Sequence, residues 1–354
     1  MSTGESSKTH PLESQVGGHP GVLASEDGSL LIKPAHPAEV AFYQSVVAEP
    51  AFAPLRPFVP KFYGTLRLEG RVDEAAAAAG DIGSIQVVEV TTEVRKDEYM
   101  RFVFVSPRPP VASGSQGLLP NILDVKLGTV LYGDDASPEK RERMEKAARD
   151  TTSFETGVRL TGFRGKAVNT PKAYGKSIKP ADLPEGIARF FPFGGVPDAS
   201  QEPATNGDNA ARPATGTGLP PDMLLPVLES MREDVAEIRA ALAEMDLRMV
   251  GGSLLIIYEA DLERAREGLK WLEEAPDDED EGEEEEEEDD EDEEKRVGPP
   301  YVVKLIDFAH SKIVPGIGPD EGVLKGVDTV LRLLDGRIEQ TKAVLASRDG
   351  SLQS

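Results

Sequence analysis

The chain has 354 residues, 39% of them apolar and none of them cysteine. That is enough for one large core or two ordinary ones, and it excludes a disulfide scaffold, a thiolate zinc site and a cysteine nucleophile. The net charge of −25 argues against non-specific nucleic-acid binding, which rests on phosphate electrostatics. No run of about 18 apolar residues marks a membrane span, and the polar start from Met1 to His10 shows no secretory signal.

In chain order, residues 1–15 read as a flexible leader. Val22-Leu23 and Leu30-Leu31-Ile32 read as strands around the hairpin signal Asp27-Gly28. Pro37 then opens a helix whose apolar side is Val40, Phe42, Tyr43, Val46 and Val47. Val59–Leu66, Ile85–Thr91 and Met100–Val105 read as strands, with a surface insertion over 73–83. The Pro/Ser/Gly-rich stretch Ser106–Gly117 marks a boundary. The first part, 16–108, is thus a small sheet plus one helix, and the second runs from 109 to 347.

The second part opens with the strand Asn121–Leu127. Ser137-Pro138-Glu139 is a helix start, with Ser as the capping residue. Residues 197–220 read as a loop insertion. The spacing from Leu224 to Met245 predicts a long amphipathic helix. Ser253–Tyr258 and Tyr301–Phe308 read as strands, Gly326–Leu334 and Ile338–Leu345 as helices, and 348–354 as a tail. Between the last two strands, Asp277–Glu294 is acidic at every position except Gly282, giving 17 carboxylates. We expect a disordered acidic insert over 273–297. By contrast, Lys126–Lys179 holds 12 basic against 7 acidic residues, which suggests an anion site in an acidic chain.

Four features can carry chemistry. Asp124 and Lys126 alternate onto one face of a strand. They are either a same-face ion pair or a pair that positions a hydroxyl and a phosphate. Asp307 shares an apolar strand face with Val303 and Leu305. It is either a turn cap or a Mg²⁺ ligand beside phosphate oxygens. Lys140, Arg143 and Lys146 form a basic stripe, with Arg159, Arg164 and Lys166 downstream: a solvated face partly paired with its own glutamates, or a polyphosphate pocket. Lys33 on a strand and Glu39 on the next helix are either a surface pair or the pair with which a kinase small lobe holds phosphates. His310 is either a core histidine or a site residue. No Walker A, GxGxxG or HRD pattern occurs, so the P-loop, Rossmann and protein-kinase classes lack support.

Pro120–Gly128 (PNILDVKLG) fits the PxxxDxKxG signature of the inositol polyphosphate kinases. Gly252–Leu255 is similar to that family's SSLL element, with Gly in the first place. Ile306–His310 reads IDFAH as in the family, and Asp320-Glu321-Gly322 followed by Gly326 resembles its DEG…G ending. The order holds over residues 17–335. The stretches Ala136–Met144 and Thr151–Arg164 resemble the multikinase branch in its fungal form most, and the hexakisphosphate kinases share the signature.

The resemblance implies an α+β, two-lobed, protein-kinase-like (ATP-grasp-like) fold. Its parts are an N-lobe sheet with one helix and a C-lobe with an inositol-phosphate-binding helical segment. It implies ATP- and Mg²⁺-dependent phosphorylation of inositol 1,4,5-trisphosphate and tetrakisphosphate to the pentakisphosphate. Lys33, aided by Glu39, would bind nucleotide phosphates, and Asp124 the nucleotide, at its ribose. Lys126 would hold substrate and the transferring phosphoryl group. Asp307, with Ser253 near it, would ligate Mg²⁺. Lys140, Arg143, Lys146, Arg164 and His310 would contact the inositol phosphates. Val103–Arg108, in the hinge position, lacks an acidic residue, so adenine or ribose recognition there would use backbone contacts. Two further readings are a hexakisphosphate kinase and a nuclear scaffold or transcription co-regulator acting on basic proteins through the acidic tract. A monomer in nucleus and cytoplasm is expected, with no direct nucleic-acid contact and no stable membrane insertion.

Overall fold

The computed structural model describes residues 9–12, 22–25, 30–34, 36–46, 49–67, 100–105, 120–164, 169–171, 173–194, 218–259, 261–274 and 298–352. The strand expected at 85–91, the insertion at 73–83, the linker at 106–117, and nearly all of the 197–220 and 273–297 segments lie outside them.

The first sheet contains β1 (Thr9–Pro11), β2 (Leu23–Ser25), β3 (Leu30–Pro34), β4 (Phe62–Arg67) and β5 (Met100–Val105). It is antiparallel, in the order β1-β2-β3-β5-β4. Part of the expected leader is therefore a strand, because Thr9–Pro11 finds an edge partner in β2. Helix α1 (Pro37–Val46) follows β3. A 3₁₀ helix, Pro50–Phe58, occupies a stretch that composition did not flag. Its prolines at 54 and 57 withhold the amide donors that a regular α-helix needs.

The second sheet contains β6 (Asn121–Leu127), β7 (Val158–Arg164), β8 (Asn169–Thr170), β10 (Ser253–Tyr258) and β11 (Tyr301–Ile306). Its order is β11-β10-β6-β7-β8. A two-stranded ribbon pairs β9 (Leu247–Met249) with β12 (Ser311–Ile313).

The helices of this half are α2 (Pro138–Asp150), α3 (Ser153–Thr156), α4 (Tyr174–Ser177), α5 (Leu183–Phe190), α6 (Pro221–Ala243), α7 (Leu262–Glu274) and α8 (Glu321–Leu352). Ser137 caps α2 by accepting the Lys140 amide, as its sequence predicts. Where two helices and a tail were expected, α8 is one helix of 32 residues. Gly336 is a weak helix former, but Leu334 and Ile338 on either side are buried, and this packing carries the helix through. The ion pairs Lys342–Glu229, Arg232–Asp335 and Arg239–Asp328 run in opposite sequence directions, so α6 and α8 are antiparallel.

One apolar core joins the two halves: Phe42, Phe52 and Leu55 belong to the same buried cluster as Leu123, Met231 and Phe308. No helix among the described residues is long and apolar enough to cross a membrane.

Candidate active site

Register builds the site. In the second sheet β10 lies between β6 and β11, with Ser253 opposite Lys126 on one side and Ile306 on the other. Asp307 is the next residue. The strand ends at Ile306, so Asp307 is not a strand residue as its apolar neighbours suggested; it turns away at φ +67°. Among the described residues it is the one non-glycine at positive φ. Holding an L-residue there costs about 1–3 kcal/mol, and such strain persists where the surroundings impose it.

The turn aims the Asp307 carboxylate at two lysines. Lys126 Nζ lies 2.6 Å from Oδ2, and Lys33 Nζ lies 3.6 Å from Oδ1. Lys126 also donates to the Gly251 carbonyl at 3.1 Å. Lys33 in turn donates to Glu39 Oε1 at 2.8 Å. The same oxygen accepts the Phe308 amide at 3.3 Å. Burial pushes the Asp307 carboxyl up, but Lys126 and then Lys33 outweigh it, and the group is held below its ordinary range. Its side chain is 30% exposed, open to a ligand.

Asp124 is placed differently. It is 1% exposed, sealed on the same strand behind Lys126, although the resemblance gave it a nucleotide contact. β6 is covered by β10 on one side and β7 on the other, and the β6–β7 pairing is irregular around Leu123 and Val125. There Thr161 Oγ1 donates to the Asp124 carbonyl at 2.8 Å, and Gly162 adopts φ +119°. Burial raises the Asp124 carboxyl above its ordinary value, and the nearby Lys126 charge only partly opposes this. Asp124 Oδ1 and Ser253 Oγ make no hydrogen bond of ordinary geometry and are closed to solvent. The Ser253 hydroxyl is nonetheless near enough to favour the ionised carboxylate.

The donor chemistry fits a hard divalent cation. Asp307, open to a ligand, offers oxygen only, as Mg²⁺ and Mn²⁺ prefer, whereas the Ser253 and Asp124 oxygens on the neighbouring strands are sealed. Among the described residues no three His, Cys, Asp or Glu side chains group to hold a metal. An ion at Asp307 would therefore be completed by phosphate oxygens and water, the usual arrangement for Mg²⁺.

The remaining predicted residues lie on α2, at the end of β7 and just after Asp307. Lys140, Arg143 and Lys146 sit exposed on α2, and Lys146 pairs with Asp150 at 2.7 Å. Arg164, at the end of β7, is half-buried and faces Ile122 in register. His310 is exposed, with its ring centroid 5.7 Å from that of His36.

Sequence reasoning missed several contacts. Arg159 faces Lys126 in register and adds positive charge near Asp124. Lys312 pairs with Asp134, whose carbonyl Arg141 also binds. The DEG…G ending has a structural role. Asp320 Oδ1 accepts the Gly322 and Val323 amides at the start of α8, and Oδ2 accepts the Met249 amide. Gly326 lets α8 approach Gly157, where a Cβ at Gly157 would meet the Gly326 amide nitrogen at 2.6 Å.

A family model described as inositol polyphosphate kinase matches residues 115–210 and 216–335. The inositol polyphosphate multikinase of Saccharomyces cerevisiae is 29% identical over 369 residues, covering 90% of this chain and 96% of that protein. The Schizosaccharomyces pombe multikinase is 29% identical over 183 residues, covering 50% of this chain and 61% of that one. The inositol hexakisphosphate kinase 2 of Oryctolagus cuniculus is 27% identical over 237 residues, covering 61% and 48%. The solved structure of the inositol phosphate multikinase Ipk2 from S. cerevisiae, in complex with ADP and Mn²⁺, superposes with a TM-score of 0.54 at 24% identity. That match covers 87% of this chain and 98% of that one, and it shows a common α+β fold.

Proposed function

The chain belongs to the inositol polyphosphate kinase family and groups with its fungal multikinases, and from that premise we propose an ATP- and Mg²⁺-dependent multikinase. Its substrates are inositol 1,4,5-trisphosphate and then tetrakisphosphate, and its end product is the pentakisphosphate. The observation that carries this reading is the convergence of Lys33 and Lys126, from the two sheets, on the single carboxylate of Asp307.

Phosphoryl transfer asks a protein for position and charge rather than covalent chemistry. Lys33, fixed by Glu39, holds nucleotide phosphates. Lys126 holds the acceptor hydroxyl and the moving phosphoryl group, its ammonium anchored by the Gly251 carbonyl. Asp124, with Ser253, keeps a negative charge behind Lys126. Asp307 ligates the divalent cation, which when bound neutralises the phosphate oxygens. His310 and Arg164, with Lys140, Arg143 and Lys146 on α2, receive the ring phosphates. The enzyme works in nucleus and cytoplasm as a monomer; the acidic tract is a solvated insert, with the engagement of basic nuclear proteins as the alternative reading.

The test is product analysis. The purified full chain is incubated with ATP, Mg²⁺ and inositol 1,4,5-trisphosphate, and separately with the hexakisphosphate, and products are resolved by anion exchange. Stepwise conversion of the trisphosphate to tetrakis- and pentakisphosphate is expected. Similarity to the hexakisphosphate kinases makes turnover of the hexakisphosphate alone the result that moves the enzyme to that branch. No turnover of either overturns the reading. Deleting residues 276–296 is expected to leave both turnover and any histone capture unchanged; intact turnover with lost capture supports a separate scaffold role for the tract.

A further inference from the structure

Helix α1 presents three residues at helical spacing to the turn that carries Asp307. Glu39 accepts the Phe308 amide. One turn on, the Phe42 ring lies parallel to that of Phe308, with centroids 4.8 Å apart and planes 10° apart. Tyr43 meets Phe308 edge-on at 5.7 Å. Phe308 is wholly buried, and it directly follows the residue held at positive φ.

On the other side of the turn, β11 ends at Ile306, hydrogen-bonded to β10. The strained residue is thus gripped between the second sheet and a helix that follows β3 of the first. The position of α1 is set in turn by the first half of the chain, through Phe42 against Phe52 at 5.9 Å and Tyr43 against Phe62 at 5.4 Å.

We propose that Phe42 is a positioning residue for Asp307: its stack on Phe308 holds the aspartate in its left-handed turn and ties the metal-binding carboxylate to the placement of α1. This rests on the kinase reading and adds a residue that touches neither substrate nor nucleotide. Close ring stacking is geometrically specific, so an aliphatic side chain can fill the space without fixing the ring of Phe308. A displacement of about 1 Å at a reacting centre can cost on the order of a hundredfold in rate.

The test compares Phe42→Leu with Val46→Ala, a buried position one turn further along α1, and with Phe308→Leu, which removes the stack from its other side. Hydrogen exchange on the free protein reads the turn directly. Phe42→Leu and Phe308→Leu are expected to speed exchange at residues 306–310 without changing β6, and Val46→Ala is not. Calorimetry then reads the consequence. ADP affinity with Mg²⁺ is expected to fall about tenfold in Phe42→Leu, while its affinity in EDTA changes less than about twofold. Unchanged exchange at 306–310, or an equal effect in Val46→Ala, overturns the proposal, as does loosened exchange with full metal-dependent affinity. A wild-type protein that turns over no inositol phosphate defeats the proposed function instead, and the exchange comparison still decides whether Phe42 holds the turn.

Discussion

Lys126 Nζ stands 2.6 Å from Asp307 Oδ2, although 181 residues separate the two in sequence. Three adjacent strands create this contact: β6 carries the lysine, β10 sets the register, and β11 delivers the aspartate just past its end. Removing the lysine should cost turnover and also change the acid response of the fold.

Lys126→Met keeps the aliphatic stem and deletes the charge. Turnover of inositol trisphosphate is expected to fall on the order of a thousandfold, as when a preorganised charge-stabilising donor is lost. The stability effect has a definite sign. Because the folded-state carboxyl of Asp307 is depressed, its ion pairs stabilise the protein above the ordinary carboxylate range, and this is lost as pH falls through the folded value. The gap in Tm between wild type and Lys126→Met should therefore be widest near pH 7 and close below about pH 4. A gap independent of pH would contradict the pairing.

Asp124→Asn should separate stability from function. Burial opposes the ionised form of Asp124, so a neutral isostere relieves a desolvation cost. Tm at pH 7.5 is expected to rise by about 2 °C or hold steady, while turnover falls at least about a hundredfold. A clear loss of stability in thermal melts would show that the charge supports the fold.

Gly157→Ala tests the packing of α8. Gly157 has φ +71°, and an added Cβ would press on the Gly326 backbone. Strain and overpacking together should cost about 1–3 kcal/mol in urea unfolding. An unchanged unfolding midpoint would mean that the two segments separate without loss.

Asp234 supplies a second pH signature away from the site. Burial pushes its carboxyl up to about 6, with the Tyr301 hydroxyl and Lys304 pulling it down. A raised acid binds its proton more tightly in the folded state, so stability falls as pH rises from about 4 to about 6 and is level above. Asp234→Asn should flatten this part of the stability profile and raise Tm at pH 7.5 relative to wild type. Equal slopes in both proteins between pH 4 and 6 would refute the assignment.

Much of the site was legible in the sequence, for reasons specific to each residue. Alternation puts Asp124 and Lys126 on one strand face whatever the rest of the chain does. The Ser137-Pro138 start of α2 is written in local hydrogen-bond chemistry. Lys33 and Glu39 lie six residues apart, so short-range geometry brings them near. The 3₁₀ helix at Pro50–Phe58 and the short ribbon of β9 and β12 left no periodic signal. The single span of α8 was hidden because Gly336 looks like a break until α6 is packed against it.

By itself, the sequence determined the motifs, their order, the strand faces and the charge that a polyphosphate ligand requires, because these depend on neighbours a few bonds apart. Only the tertiary structure decided that Asp124 is sealed while Asp307 stays open, and that Asp307 leaves its strand in a left-handed turn. Only it brought Phe42 and Glu39 to brace that turn. Those outcomes depend on strand register and on which surfaces lose water. Both are set by packing between segments far apart in the chain, where no local preference reaches.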